Sequence, residues 1–234
     1  MTYVLPAPIR SRLDELAHTL QVQLGPNLVS LLVFGSAARG GYDSGRSDVD
    51  LVLVLKDPTS EVLLTIANTL TVARTALRFE TVILKEDEIT RAADVFPLFY
   101  DDIRSCHLLL AGKDAFANLY ISDSHRRVRI EQELREVQIR LRRVVVDSMG
   151  APQALAGAIE RKVKQIRSPV HALLQLRKTA PVDDQLDNVL AKARDVWKVD
   201  IKFLQQPRKN PTKALEALNE LLTHMIEEVD RMEA

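Results

Sequence analysis

Two apolar runs near the start of the chain most constrain its fold. Residues 28–34 form the first run, which ends abruptly at a glycine, and residues 51–55 form the second, directly after two closely spaced aspartates. Apolar runs of this length with polar or glycine boundaries are typical of buried β-strands. Because successive side chains of a strand point to opposite faces, Asp48 and Asp50 are expected on one face and Val49 on the other.

The turn after the first predicted strand is suited to binding phosphate. Gly35 has no Cβ, so backbone and ligand can approach closely there, and Ser36 offers a hydroxyl and a backbone N–H. A helix beginning at residues 37–39 would add free N–H groups that favour an anion. The two aspartates that follow repel each other unless a divalent cation lies between them. Together these features predict a metal-dependent site for phosphate transfer.

These motifs resemble those of a known protein family. The order Gly-Ser-x-x-Arg-Gly at 35–40 and Ser-Asp-x-Asp-Leu at 47–51 is similar to that of polymerase-β-type nucleotidyltransferases. The similarity is strongest to their small branch, which includes kanamycin-nucleotidyltransferase-like and toxin-antitoxin-associated proteins. One residue more than is usual separates the serine from the first aspartate, which is a small change in a surface loop. The resemblance implies an α/β (α+β) domain with a mixed sheet and nucleotidyltransferase activity.

The resemblance also implies the roles of three carboxylates. Asp48 and Asp50 would hold Mg²⁺, with two ions expected. Glu80, which interrupts an otherwise apolar predicted strand, would be the third catalytic carboxylate, either as a metal ligand or as the base for an acceptor hydroxyl. An alternative stays open in which Glu80 is a surface charge that pairs with Arg78 or Lys85.

The nucleotide contacts are implied by the same resemblance. Gly35, Ser36, Arg39 and Ser47 would bind the phosphates of an NTP, for which ATP is expected. Arg39 is equally compatible with a surface arginine, and for Arg46 a surface position is favoured.

Other kinds of site fit the sequence poorly. Residues 35–40 have the glycine spacing of a P-loop, but Gly41 and Tyr42 stand where its lysine and its serine or threonine should be. Cys106 is the only cysteine, which excludes a disulfide or a cysteine-rich zinc site and predicts a reducing cytoplasm. No basic-then-apolar leader and no long apolar run are present, so neither secretion nor a membrane span is expected.

The periodicity of apolar residues predicts two domains, residues 1–120 and 121–234. In the first, helices over 9–24 and 60–77 alternate with strands, and a last strand lies within 106–112. In the second, four amphipathic stripes predict an antiparallel four-helix bundle that would bind the acceptor or a partner. The stripes begin at Ile130, Leu155, Leu186 and Leu215.

The second predicted helix of the bundle has three unusual features. Pro169 lies inside it and predicts a kink or break near Ser168. Arg167 and His171 resemble the Arg and His pair of HEPN ribonucleases at a narrower spacing, and a structural role is favoured for them. Residues 161–178 hold six basic residues and no acidic one, for which a solvated helix face is favoured over contact with an anionic partner.

The leading functional hypothesis is a Mg²⁺-dependent enzyme that transfers a nucleoside monophosphate from an NTP to an acceptor hydroxyl and releases pyrophosphate. A second hypothesis is a nucleotidyltransferase fold without turnover, acting as a nucleotide-binding regulatory or antitoxin-like module. A third is that the helical half binds nucleic acid or protein and the first half is a sensor. The acceptor is open between a small molecule, a protein and tRNA, and a homo-oligomer is compatible with each hypothesis.

Overall fold

The computed structural model describes residues 5–42 and 48–232. It divides the chain into two compact units, Met1–Ile121 and Ser122–Ala234. Within the described residues, no helix is long and apolar enough to cross a membrane.

The first unit is built on a four-stranded sheet with the order β3-β2-β1-β4. The strands are β1 Leu28–Phe34, β2 Val49–Leu55, β3 Phe79–Lys85 and β4 Leu108–Gly112. Strand β1 is antiparallel to both β2 and β4, whereas β2 is parallel to β3. The prediction of a mixed sheet is therefore confirmed.

Five helices accompany the strands in the described part of this unit. They are α1 Ala7–Leu24, α2 Gly35–Ala38, α3 Ser60–Ala76, α4 Glu86–Arg91 and α5 Pro97–Ser105. Helix α3 begins where the Thr59 hydroxyl accepts a hydrogen bond from the Val62 N–H, which is a usual N-cap.

Both faces of the sheet are covered by apolar side chains, and this fixes the register of β2. One face carries Val49, Leu51 and Leu53, which pack with buried residues of α1 and α3 such as Leu20 and Ile66. The opposite face packs with α5 and the segment after β4. Its core includes Leu32, Val52, Val54, Tyr100, Ile103 and Phe116. Because a slip of one residue would turn Asp50 into the apolar layer of α1 and α3, this packing holds Asp50 on the opposite face.

The structure differs from the sequence-based prediction around the site in three details. Helix α2 is a single turn that begins at Gly35, not a longer helix that begins at residues 37–39. Helices α4 and α5 were not predicted, because each is shorter than the window of about 11 residues over which helical periodicity is recognised. The last strand begins at Leu108, and Cys106 lies before it, where its Sγ–H donates to the Ala38 carbonyl at 3.3 Å.

The described residues of the second unit form helices and their connections, with no strand. Its helices are α6 Asp123–Asp147, α7 Pro152–Gln165, α8 Arg167–Leu176, α9 Leu186–Trp197, α10 Lys202–Gln205 and α11 Pro211–Arg231. Two of the four predicted helices are therefore divided. Pro169 is the third residue of α8, where its missing N–H would have no partner within the helix, so the chain breaks just before α8. Helix α9 ends at Trp197 because Lys198 has a left-handed conformation, with φ of 60°.

Candidate active site

Asp50 and Glu80 face each other across two parallel strands. They are direct partners in the register of β2 and β3, so their side chains lie on the same face of the sheet. Burial raises the pKa of the Asp50 carboxyl above its usual value, and the neighbouring carboxylates of Glu80 and Asp48 raise this pKa further. The guanidinium of Arg39 acts in the opposite direction. The structure thus brings all three predicted carboxylates within electrostatic reach of one another.

Gly35 lies directly against the carboxylate of Asp50. A Cβ added to Gly35 would overlap with Oδ2 of Asp50 and lie 3.2 Å from its Cγ. Gly35 also has a φ of +70°, a conformation that L side chains disfavour. Only glycine meets both conditions at the end of β1, so the turn and the carboxylate are held next to each other.

The turn itself is closed by backbone hydrogen bonds. The Arg39 N–H donates to the Gly35 carbonyl at 3.2 Å, and the Gly41 N–H donates to the Ser36 carbonyl at 3.0 Å. Ser36 is exposed. Because α2 is only one turn long, the predicted phosphate contacts depend on the hydroxyl and the N–H groups of this turn and not on a helix dipole.

Arg39 fastens this turn to α5. Its Nη2 donates to the backbone carbonyl of Asp102 at 3.0 Å and lies 3.4 Å from Oδ1 of the same residue. The Arg39 side chain is only 7% exposed, so the alternative of a solvated surface arginine does not describe it. Asp102 carried no signal in the sequence, since its role depends on the packing of a helix that was not predicted.

Asp48 is engaged by a neighbouring arginine. Nε of Arg78 lies 2.8 Å from Oδ1 of Asp48, and the Val49 N–H donates to the Arg78 carbonyl at 2.9 Å. Lys85 pairs instead with Asp87, at 3.5 Å. In the part of the chain that the structure describes, both basic neighbours proposed as partners of Glu80 are thus paired with other acids.

Two further residues named in the sequence analysis are Ser47, a predicted phosphate contact, and Arg46, for which a surface position is favoured. Ser47 and Arg46 lie outside the described residues, in the gap between 42 and 48.

The donor set fits a divalent cation, although the side chains are not gathered around one. Within residues 5–42 and 48–232, no three His, Cys, Asp or Glu side chains are close enough to hold a metal ion as they stand. Asp48 is held by Arg78, while Asp50 and Glu80 form a pair of like charges that a cation would relieve. Carboxylate oxygens are the ligands that Mg²⁺ prefers, usually one or two of them together with phosphate oxygens. Asp48 and Asp50 are therefore the residues that could hold Mg²⁺.

Arg167 and His171 of the second unit are packed among other residues of the protein. Arg167 makes a buried ion pair with Asp184, in which Nη1 lies 3.2 Å from Oδ2, and His171 is only 7% exposed. Of the six basic residues in 161–178, Arg177 also pairs with an acid, Glu228. The favoured structural interpretation of Arg167 and His171 agrees with this burial.

Comparison with known proteins adds a family and several similar structures. Residues 20–146 match the profile of a protein family described as a nucleotidyltransferase domain, which spans more than half of the chain. No curated protein matches the sequence.

Three solved structures are similar to this chain at low sequence identity. The spectinomycin adenyltransferase AAD(9) from Enterococcus faecialis, solved with ATP and spectinomycin, has 14% identity and a TM-score of 0.49 over 92% of this chain and 99% of that one. A toxin-antitoxin structure with AMP-PNP has 16% identity and a TM-score of 0.32 over 58% of this chain and 98% of that one. A nucleotidyltransferase-like protein from Exiguobacterium sibiricum 255-15 has 11% identity and a TM-score of 0.37 over 92% and 77%, respectively.

Proposed function

The chain belongs to the nucleotidyltransferase domain family, of the polymerase-β type, and we propose a specific reaction for it. It transfers a nucleoside monophosphate from an NTP, with ATP the first candidate, to a hydroxyl group of an acceptor and releases pyrophosphate. The reaction depends on Mg²⁺ held by Asp48 and Asp50. Residues 1–120 form the catalytic domain in this proposal, and residues 121–234 supply the acceptor or partner surface.

The observation that carries the proposal is the position of Glu80 and Gly35 around Asp50. One carboxylate lies opposite Asp50 in the register of the parallel strands, and the glycine of the turn lies against Asp50 from the adjacent antiparallel strand. A phosphate held by the turn would therefore be next to a carboxylate pair. This juxtaposition is what phosphoryl transfer requires, since the protein contributes mainly alignment and neutralisation of charge.

Each residue has a defined part in the proposed reaction. Ser36 and the N–H groups of its turn bind the terminal phosphates, and Gly35 makes room for the Asp50 carboxylate beside this turn. The Glu80 carboxylate accepts the proton of the acceptor hydroxyl. The acceptor oxygen then forms a bond to the α-phosphorus while the bond from that phosphorus to the bridging oxygen of pyrophosphate breaks. Bound Mg²⁺ would supply neutralisation of the phosphate charge.

Release of pyrophosphate in a panel of NTPs and acceptors tests this proposal. The panel contains hydroxyl-bearing small molecules, proteins and tRNA, with and without Mg²⁺. We expect Mg²⁺-dependent release with at least one acceptor and none from Asp50→Asn. Asp87→Asn is the matched control, because Asp87 is a carboxylate beyond the other end of β3, in an exposed pair with Lys85. Undiminished transfer by Asp50→Asn would refute the assignment of the site.

The second candidate is a nucleotide-binding module without turnover. The pairing of Asp48 with Arg78 supports it, because one of the two metal ligands is engaged by the protein itself. Glu80 opposite Asp50 supports the enzyme, since a binding module needs no third carboxylate at that place. Tight binding of Mg-NTP without pyrophosphate release across the whole panel would favour the module.

A further inference from the structure

Four charged side chains lie in two pairs at the start of β2 and β3. Asp50 and Glu80 are partners in the register, and Asp48 and Arg78 directly precede the first registered pair, Val49 with Phe79. Alternation along each strand places Asp48 with Asp50 and Arg78 with Glu80 on the same face. The group therefore contains three carboxylates and a single guanidinium, which lies 2.8 Å from Asp48.

We propose that Arg78 is a positioning residue that takes the place of the metal ion at Asp48 in the metal-free protein and releases Asp48 when a divalent cation binds. The inference rests on the proposed function, because it takes Asp48 as a metal ligand. Arg78 and the cation compete for the same carboxylate, so Arg78 lowers the affinity of the site for metal.

The location of Arg78 suits such an exchange. Its backbone is fixed, because its carbonyl accepts the Val49 N–H at 2.9 Å, so the guanidinium stays within reach of Asp48. Its side chain is 63% exposed and that of Asp48 is 43% exposed, so water can solvate the guanidinium once it leaves. A buried partner could not be exchanged in this way without a large desolvation cost.

Exposure also sets the size of the effect. Ion pairs as exposed as this one contribute little free energy. Their contribution corresponds to a factor of about 1.5 to 5 in an equilibrium constant. Removing the guanidinium should therefore raise metal affinity by about that factor and no more. A larger gain is not expected, because Asp50 and Glu80 remain as they are.

Binding of Mn²⁺ to the full chain, followed by electron paramagnetic resonance without nucleotide, tests the competition directly. The variant is Arg78→Gln, which removes the charge and keeps much of the side chain. The matched control is Arg74→Gln. Arg74 lies 5.9 Å from the ring of Phe79, whose side chain belongs to the opposite face of the sheet. The control removes the same charge four residues away without touching Asp48.

We expect Arg78→Gln to bind Mn²⁺ about 1.5- to fivefold more tightly than the wild type, and Arg74→Gln to bind as the wild type does. In an Asp48→Asn background, Arg78→Gln should give no gain, because the contested carboxylate is gone. Equal gains for Arg78→Gln and Arg74→Gln, or no gain for either, would overturn the exchange while wild-type binding of Mn²⁺ still supports the proposed site. Wild-type protein that does not bind Mn²⁺ would contradict both the site and the exchange.

Discussion

Gly35 ends β1 so close to Asp50 that the carboxylate occupies the space where a Cβ would be. The contact joins the predicted phosphate turn to the predicted metal ligand. It also explains why the glycine of the turn is needed for two independent reasons, a positive φ and the lack of a side chain.

Replacing this glycine should therefore cost more than backbone strain alone. Gly35→Ala is expected to lower the free energy of unfolding by roughly 1 to 2 kcal/mol, the cost of placing an alanine in the left-handed conformation. In addition, the new Cβ should displace Asp50. Gly150→Ala is the matched control, because Gly150 has a φ of +77° and nothing within 4 Å of the added Cβ. Denaturant unfolding and Mn²⁺ binding measure the two effects. Equal unfolding free energies and equal metal affinities for the two variants would contradict the contact.

Asp50 should lower the stability of the metal-free protein at neutral pH. Burial and the neighbouring carboxylates raise its pKa in the folded state, so between the unfolded and folded values the folded protein binds more protons than the unfolded chain. The free energy of unfolding therefore falls as pH rises through this range, and the folded state stays penalised above it. Asp50→Asn removes the charge and is expected to raise the melting temperature at pH 7 without metal.

Asp48→Asn provides the contrast to that variant. It breaks an exposed ion pair with Arg78, which costs about 0.2 to 1 kcal/mol, but it also removes a like charge from beside Asp50, so a change near zero is expected instead of a clear gain. Thermal unfolding in the presence of a chelator compares the two. A lower melting temperature for Asp50→Asn than for the wild type at pH 7 would show that burial and like charge do not act on this carboxyl as described.

The ion pair between Arg39 and Asp102 should stabilise both the fold and the phosphate turn. Because the Arg39 side chain is almost completely buried, Arg39→Met removes a buried guanidinium from the carboxylate and the backbone carbonyl of Asp102 and should cost about 3 kcal/mol. Arg10→Met is the control, since the pair of Arg10 with Asp14 is exposed on both sides and should cost under about 1 kcal/mol. Urea unfolding gives the two values, and similar losses for both variants would exclude an anchoring role for Arg39.

In the second unit, Asp184 should matter for stability and not for nucleotide binding. Asp184→Ala leaves the Arg167 guanidinium buried without its carboxylate, and a loss of about 3 kcal/mol is expected. The affinity for Mg-NTP, measured by calorimetry at a temperature where the variant is folded, should stay unchanged. Loss of nucleotide affinity in the folded variant would contradict a purely structural role.

The sequence allowed good prediction of those parts of the site that depend on short-range patterns. The apolar runs around residues 28–34 and 51–55 are buried strands, and alternation places Val49 opposite to Asp50 as expected. Glu80 could be predicted only as a candidate. Its position opposite Asp50 depends on the register of two strands that are joined through α3, which local pattern does not determine.

The rest depends on tertiary packing. The pairing of Arg39 with Asp102 requires α5, which is too short to be recognised from periodicity. The alternative in which Arg78 or Lys85 pairs with Glu80 does not describe Arg78, which pairs with Asp48, because the strand register decides which acid is nearest. In the second unit, Pro169 was predicted to cause a kink or break near Ser168. The break lies about one turn before Pro169, so the proline falls in the first turn of α8, where its missing N–H costs least.

The role of Glu80 as the base is tested by the rate of nucleotidyl transfer by Glu80→Gln in a single turnover. The rate is measured with Mg²⁺ and saturating nucleotide, and with an acceptor identified in the panel. If Glu80 accepts the proton of the acceptor hydroxyl, the variant should still bind Mn²⁺ and nucleotide, and transfer should slow by about 10²- to 10⁴-fold. Glu86→Gln, which alters an acid paired with Lys113 at the start of α4, should transfer at the wild-type rate. Transfer by Glu80→Gln at the wild-type rate would contradict the claim that the pair of Asp50 and Glu80 is the catalytic centre.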